Sequence, residues 1–209
     1  MPKISILLNF YNSTENGSKT YAYKTAQNLD ADYSIVSVSG IGVVSGYTSA
    51  GVLNSESTMP QYYDKLANSW SCFGGSVSPK EIDWDFSQFQ PDVVVINLGT
   101  NDASYVAGDA TRQQEFVDVY IDFLKKIRAN NANATIFCTL GIMGADLYPQ
   151  IQQAAAAYTA ETGDTNITCM QFDTQLMSDG ICVDWHPSET TNTKAAAKLT
   201  DYISSYMGW

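Results

Sequence analysis

Only one histidine, His186, occurs in the 209 residues of this chain. Basic side chains are scarce too: 11 Lys and Arg stand against 22 Asp and Glu, for a formal net charge of −11. Nucleic acids and anionic membranes are bound by clustered positive charge, so this balance argues against both as partners. No apolar run approaches the roughly 20 residues of a membrane-spanning helix. The opening "MPKISILLNFYN" carries a short apolar core at residues 4–8, interrupted by Ser5. That core is too short for the central region of an export signal. The four cysteines (Cys72, Cys138, Cys169, Cys182) form no Cys-x-x-Cys pair. With a single histidine, this spacing excludes the usual structural zinc sites, and no metal or cofactor is expected. Internal repeats, low-complexity segments and obvious linkers are missing as well.

What is present reads as one globular domain covering residues 1–209: 44% of residues are hydrophobic and 16% charged. The acidity suits solubility and equally a neutral partner such as a glycan; 13 Tyr and 4 Trp supply rings on which sugars could stack. Strand-like and helix-like segments alternate, the pattern of a parallel sheet covered by helices. "ISILLNF" (4–10), "SIVSVSG" (34–40), "PDVVVINLGTND" (91–102), "ATIFCTL" (134–140) and "ITCMQFD" (167–173) are the predicted strands. The third is apolar on both faces and is predicted to lie mid-sheet. Helices are predicted at 19–29, 61–69, 113–129 and 148–162. A final one is capped by Ser188, with Ala195, Ala196, Leu199 and Ile203 on its inner face. Phe116, Tyr120, Phe123, Leu124 and Ile127 form the stripe of the 113–129 helix, and Cys138 is expected to be a buried free thiol. The result is an α/β fold: a three-layer α/β/α sandwich with a flavodoxin-like parallel sheet of about five strands. The irregular stretch 43–80, rich in Ser and Gly, is the longest loop region.

In such folds ligands sit beyond the carboxyl ends of the strands, where "SGIG" (39–42), "GTND" (99–102) and "VDWHPS" (183–188) are all predicted to lie. Gly99 permits a sharp turn, and the Asn101 amide is a good donor for a developing oxyanion. The Gly40 N–H is a second candidate donor. Histidine is the side chain that takes up and returns a proton near neutrality. Asp184 is placed to orient the His186 ring, and Pro187 with the capped helix holds it. Donors plus a His/acid pair point to acyl transfer. Each piece has a plainer reading. "GTND" is also a turn whose Asn and Asp bond their own backbone, His186 a solvated side chain, and "HPS" a helix start.

"INLGTND" followed late by "DWHPS" resembles the SGNH (GDSL-type) hydrolase superfamily. "YAYKTAQNLDADYSIVSVSGIGVVSGY" and "WDFSQFQPDVVVINLGTND" are similar to stretches of carbohydrate esterase family two, over roughly residues 21–206. The resemblance implies the SGNH hydrolase fold and removal of acetyl groups from plant polysaccharides such as xylan and mannan. It assigns Gly40 and Asn101 to the oxyanion hole and His186 to the general base. It also implies a secreted bacterial protein, although this chain shows no signal peptide.

The sequence departs from the family pattern in two places. The superfamily acid stands three residues before the histidine, where this chain has Val183; Asp184 or a backbone carbonyl is left for that role. The Gly-Asp-Ser block expected after the first strand is absent, as is the family's preceding β-sandwich domain, so the amino terminus reads as truncated or rearranged. Ser13, in "YNST", is the candidate nucleophile, with Ser18 and Ser39 behind it. Otherwise Ser13 is a turn serine and the base and oxyanion hole act without a nucleophile. The expected function is therefore a serine-type esterase acting on acetylated polysaccharide or another short acyl ester. The alternatives are a non-catalytic carbohydrate-binding remnant and a general short-chain lipolytic esterase. An incomplete first strand would expose a sheet edge and favour a homo-oligomer.

Overall fold

The computed structural model describes residues 16–67 and 77–209. The chain divides into two compact units: Val36–Gln171, and the segment ending at Ile35 together with Phe172–Trp209. The predicted strand at 4–10 and Ser13 lie outside the described residues.

The larger unit is built on a sheet of order β1-β2-β3, with β1 at Val93–Asn97, β2 at Thr135–Ile142 and β3 at Ile167–Thr174, the last beginning in this unit. β1 and β2 are parallel, in register from Val93 opposite Thr135 to Asn97 opposite Thr139. The chain is therefore α/β with a parallel sheet, and the described residues contribute three of its strands. All eight residues of β2 are buried, whereas β1 is mostly half-buried. Among the described strands the middle place falls to "TIFCTLGI". Residues 34–40 form no strand among the described residues. Ile35 and Val36 are 42% and 59% exposed. Their alternation fits a strand, but a strand also needs a neighbouring backbone to take up its polar groups, and none is described here.

Between β1 and β2 run α3 (Asp102–Val106) and α4 (Ala110–Asn130); the short α2 (Met59–Tyr62) precedes the sheet. The Asp109 side chain caps α4 by accepting from the Thr111 and Arg112 amides at 2.9 and 3.0 Å. Phe116, Val117, Tyr120, Phe123, Leu124 and Ile127 bury one face of α4 at helical spacing. Each large side chain so buried contributes about 1.5–3 kcal/mol. α5 (Tyr148–Thr162) packs against α4 and β2, where Ala154 and Ala155 allow close approach. It ends at Gly163, whose φ of +74° is a left-handed cap. Arg128 ties the far end of α4 to its neighbours. It pairs with Asp164 at 2.7 Å and donates to the carbonyls of Ala134 (2.6 Å) and Asn166 (3.0 Å). Cys138 is a buried free thiol. The hydrogen bond that Cys138 donates to Cys169, and then burial, hold its pKa well above the ordinary value.

The smaller unit packs α1 (Tyr21–Asn28) on α6 (Glu189–Met207). Asn192 Oδ1 accepts from the Tyr21 amide at 2.9 Å, and Asn28 Nδ2 donates to Thr200 Oγ1 at 3.1 Å. Tyr21 meets Phe172 edge-on, with centroids 5.1 Å apart. Ser188 caps α6 through the Thr191 amide at 3.2 Å, and Ala195, Ala196, Leu199 and Ile203 face inward as predicted. Among the described residues no helix is long and apolar enough to cross a membrane.

Candidate active site

In the larger unit the chain turns sharply just past β1. Gly99 takes φ +133°, and a Cβ there would meet the Leu140 methyls at 3.2 and 3.3 Å, so both backbone and packing call for glycine. Asn101 and Asp102 follow, and neither bonds merely its own turn. Asn101 Nδ2 donates to the Ile41 carbonyl at 2.8 Å, 60 residues away. That leaves its second N–H for another acceptor. Asp102 is fully buried. Its Oδ1 accepts from the amides of Val43 (2.9 Å), Val44 (2.7 Å) and Ser45 (3.1 Å), and the Val43 amide also reaches Oδ2 at 3.0 Å. Burial pushes the carboxyl above its ordinary pKa, while the three amides pull it back part of the way.

Gly40 opens the loop that these contacts hold. Its φ is +73°, its carbonyl accepts from the Tyr47 amide at 2.8 Å, and its own N–H bonds to no described residue. Gly40 and Asn101, paired by the sequence reading, therefore meet at Ile41: one precedes it in the chain and the other bonds its carbonyl. The turn-only alternative for "GTND" does not survive these contacts.

In the smaller unit His186 lies in a tight loop. Ile181 bridges to Pro187, the Cys182 amide donates to the His186 carbonyl at 2.9 Å, and the His186 amide donates to the Val183 carbonyl at 3.0 Å. Asp184 and Trp185 both occupy left-handed backbone, at φ +50° and +63°. Two successive non-glycine residues there store of the order of 1–3 kcal/mol each. Gln175 helps hold the turn, its Nε2 donating to the Trp185 carbonyl at 2.6 Å.

The imidazole is exposed, and its Nδ1 lies 3.0 Å from the Val183 carbonyl oxygen. A carbonyl can only accept, so a hydrogen bond here takes its proton from Nδ1; in the neutral ring this leaves the Nε2 lone pair available to a general base. Among the described residues the ring nitrogen faces the carbonyl of Val183, the residue three before the histidine, and no hydrogen bond joins it to the Asp184 carboxylate. The left-handed turn directs the chain so that a backbone oxygen faces the ring. Of the lesser serine candidates, Ser18 donates its hydroxyl to Asn16 Oδ1 at 2.6 Å, and Ser39 is exposed in the larger unit. Among the described residues no group of three or more His, Cys, Asp or Glu is placed to hold a metal ion.

Sequence reasoning passed over the Asp102 carboxylate. An acid directly after a glycine turn at a strand end was the available signal, but its partners are backbone amides and leave no mark in residue types.

In the larger unit, a glycine turn after a parallel strand with an Asn amide close to a backbone N–H is an arrangement that suits ester hydrolysis. A family model described as GDSL-like Lipase/Acylhydrolase matches residues 8–199, and the chain belongs to that family. It is 34% identical over 204 residues to the cellulase/esterase CelE of Acetivibrio thermocellus, covering 96% of this chain and 23% of that protein. It is 31% identical over 206 residues to an acetylxylan esterase / glucomannan deacetylase of Cellvibrio japonicus, covering 93% and 52%. Among solved structures, the acetyl xylan esterase Est2A of Butyrivibrio proteoclasticus superposes with a TM-score of 0.81 at 28% identity, over 92% of this chain and 56% of that one. A family two carbohydrate esterase from Clostridium thermocellum, solved with cellohexaose, gives 0.79 at 32% identity, over 98% and 59%. The chain thus spans about half, or less, of the length of these curated relatives.

Proposed function

We propose that this protein is a serine-type carbohydrate esterase that removes acetyl groups from acetylated plant polysaccharide. The observation that carries the reading is the pairing of donors in the larger unit: the Gly40 amide, which bonds to no described residue, and the second N–H of Asn101, joined through Ile41. Two fixed donors of this kind suit the oxyanion of a tetrahedral intermediate.

In the proposed reaction His186 Nε2 takes the proton of a serine hydroxyl, for which Ser13 is the candidate, as the oxygen attacks the acetyl carbonyl. Gly40 and Asn101 stabilise the oxyanion. The imidazolium, steadied at Nδ1 by Val183, returns the proton to the departing sugar hydroxyl. Water then hydrolyses the acetyl-enzyme by the same route. Trp185, 67% exposed and adjacent to the base in sequence, presents an indole face for a sugar ring. The net charge of −11 favours neutral glycan over acidic polymer. The named activities of the relatives, acetylxylan and glucomannan deacetylation, support the substrate class.

The test is acetate release from acetylated xylan and glucomannan beside a chain-length series of 4-nitrophenyl esters. Release of acetate, a preference for acetyl over longer acyl chains, and loss of turnover in His186→Ala are expected. A fully active His186→Ala enzyme refutes the reading. The rival, a carbohydrate-binding domain without chemistry, draws on the missing Gly-Asp-Ser block and expects glycan binding with no hydrolysis above background.

A further inference from the structure

We infer that Asp102 is a positioning residue for the oxyanion hole: its buried carboxylate gathers the loop 40–47 and so sets the direction of the Gly40 N–H. This rests on the assignment of Gly40 and Asn101 as oxyanion donors. The loop is a closed ring, joined by the bond from the Tyr47 amide to the Gly40 carbonyl at 2.8 Å. Three successive amides inside that ring, those of Val43, Val44 and Ser45, point at one carboxylate. Successive amides aimed at one anion form a concave nest, and here the anion is supplied by the protein itself.

The fit leaves no slack. A Cβ on Gly42 would lie 2.6 Å from Asp102 Oδ2 and 2.0 Å from the Ser45 carbonyl, so the loop sits directly on the carboxylate. Ser45, fully buried, braces the far side by accepting from the Asn54 amide at 3.0 Å and donating to the Gly46 carbonyl at 2.8 Å. From the neighbouring position Asn101 holds Ile41. Residues 101 and 102 therefore grip the loop on either side of Gly42. One supplies a donor to the hole and the other fixes the second donor without reaching it. Hydrogen bonds to an ionised acceptor are roughly twice as strong as neutral ones, which suits a carboxylate to this task.

The experiment is steady-state kinetics of Asp102→Asn and Asn101→Ala on 4-nitrophenyl acetate, with amide hydrogen exchange resolved by residue. Asparagine keeps the shape, removes the charge and sets an NH2 against the Val43 amide. Loss of one oxyanion donor lowers kcat by about 10²–10³. Asp102→Asn is expected to lower kcat at least about tenfold towards that limit, with KM within about twofold, because the ground-state ester does not use the hole. Val43, Val44 and Ser45 amides should exchange about 10³ more slowly than unprotected ones in the unmutated protein. In the variant they should lose that protection while β2 amides keep theirs. If Asn101→Ala loses turnover and Asp102→Asn does not, the inference fails and the oxyanion assignment stands. If neither variant changes turnover, the assignment itself fails. Fast exchange at 43–45 in the unmutated protein overturns the carboxylate grip without reference to turnover, so the inference is exposed even where the variant does not fold.

Discussion

Replacing Asp184 by asparagine separates two accounts of how His186 is oriented. Where a carboxylate holds the catalytic imidazole, its replacement by the amide lowers kcat by about 10⁴ by favouring the wrong tautomer. That is close to 5.5 kcal/mol of transition-state stabilisation. Here Nδ1 lies 3.0 Å from the Val183 carbonyl, and a main-chain oxygen survives any side-chain change at 184. The substitution also suits the backbone. Residue 184 sits at φ +50°, ψ +39°, a left-handed conformation in which Asn and Asp are both enriched. The turn that presents the carbonyl is therefore retained, and stability should stay within about 0.5 kcal/mol. The assay is kcat and KM on 4-nitrophenyl acetate, with a thermal melt alongside. Asp184→Asn is expected to keep kcat within about threefold, or roughly 0.65 kcal/mol. A loss of a thousandfold or more in a protein that melts normally would refute the Val183 assignment.

Asp164 gives a pH-dependent test. Burial raises its pKa, but hydrogen bonds from Tyr158 and Asn166 and the Arg128 guanidinium outweigh burial, and the folded-state value lies below the ordinary one. The contribution is therefore complete above the unfolded pKa of about 3.9 and lost as pH falls through the depressed folded value. Asp164→Asn should destabilise by about 2 kcal/mol at pH 7, or about 4–8 °C in Tm. The gap between variant and parent should shrink below about pH 4; a gap unchanged at pH 2.5 contradicts the assignment. In the core, Leu124 has no exposed surface, and Leu124→Ala should cost about 2–5 kcal/mol by denaturant titration. A cost under 1 kcal/mol would show that the α4 face packs elsewhere. Gly99→Ala combines positive φ with contacts at 3.2 and 3.3 Å, and should lower both stability and turnover. A variant matching the parent in melt and kcat would remove the argument for that turn.

The helices were the most legible part of the fold. The stripe from Phe116 to Ile127, the residues 148–162 and the Ser188 cap all follow from 3.6-residue spacing and local hydrogen bonding, which a sequence displays directly. Strands were harder. Val93–Asn97 and Thr135–Ile142 are both apolar runs, and composition does not say which has two neighbours among the described strands. Residues 34–40 pair with no strand among the described residues, and alternation alone does not name the partner a strand needs. Gly40, Asn101 and His186 are candidates that residue type, backbone freedom and the family resemblance suggest together. The Val183 carbonyl could be raised only as an alternative, since every residue has one. The role of Asp102 was hidden for the same reason, its partners being three amides some 57–59 residues distant.

The central claim is that this chain performs serine-type acyl transfer although it lacks the Gly-Asp-Ser block. Its most direct test is mass spectrometry of the protein after treatment with a serine-directed phosphonate, beside His186→Ala. The account expects one phosphonylated serine, at Ser13, with labelling strongly reduced in the variant. A protein that takes up no phosphonate and hydrolyses no acetyl ester would contradict it.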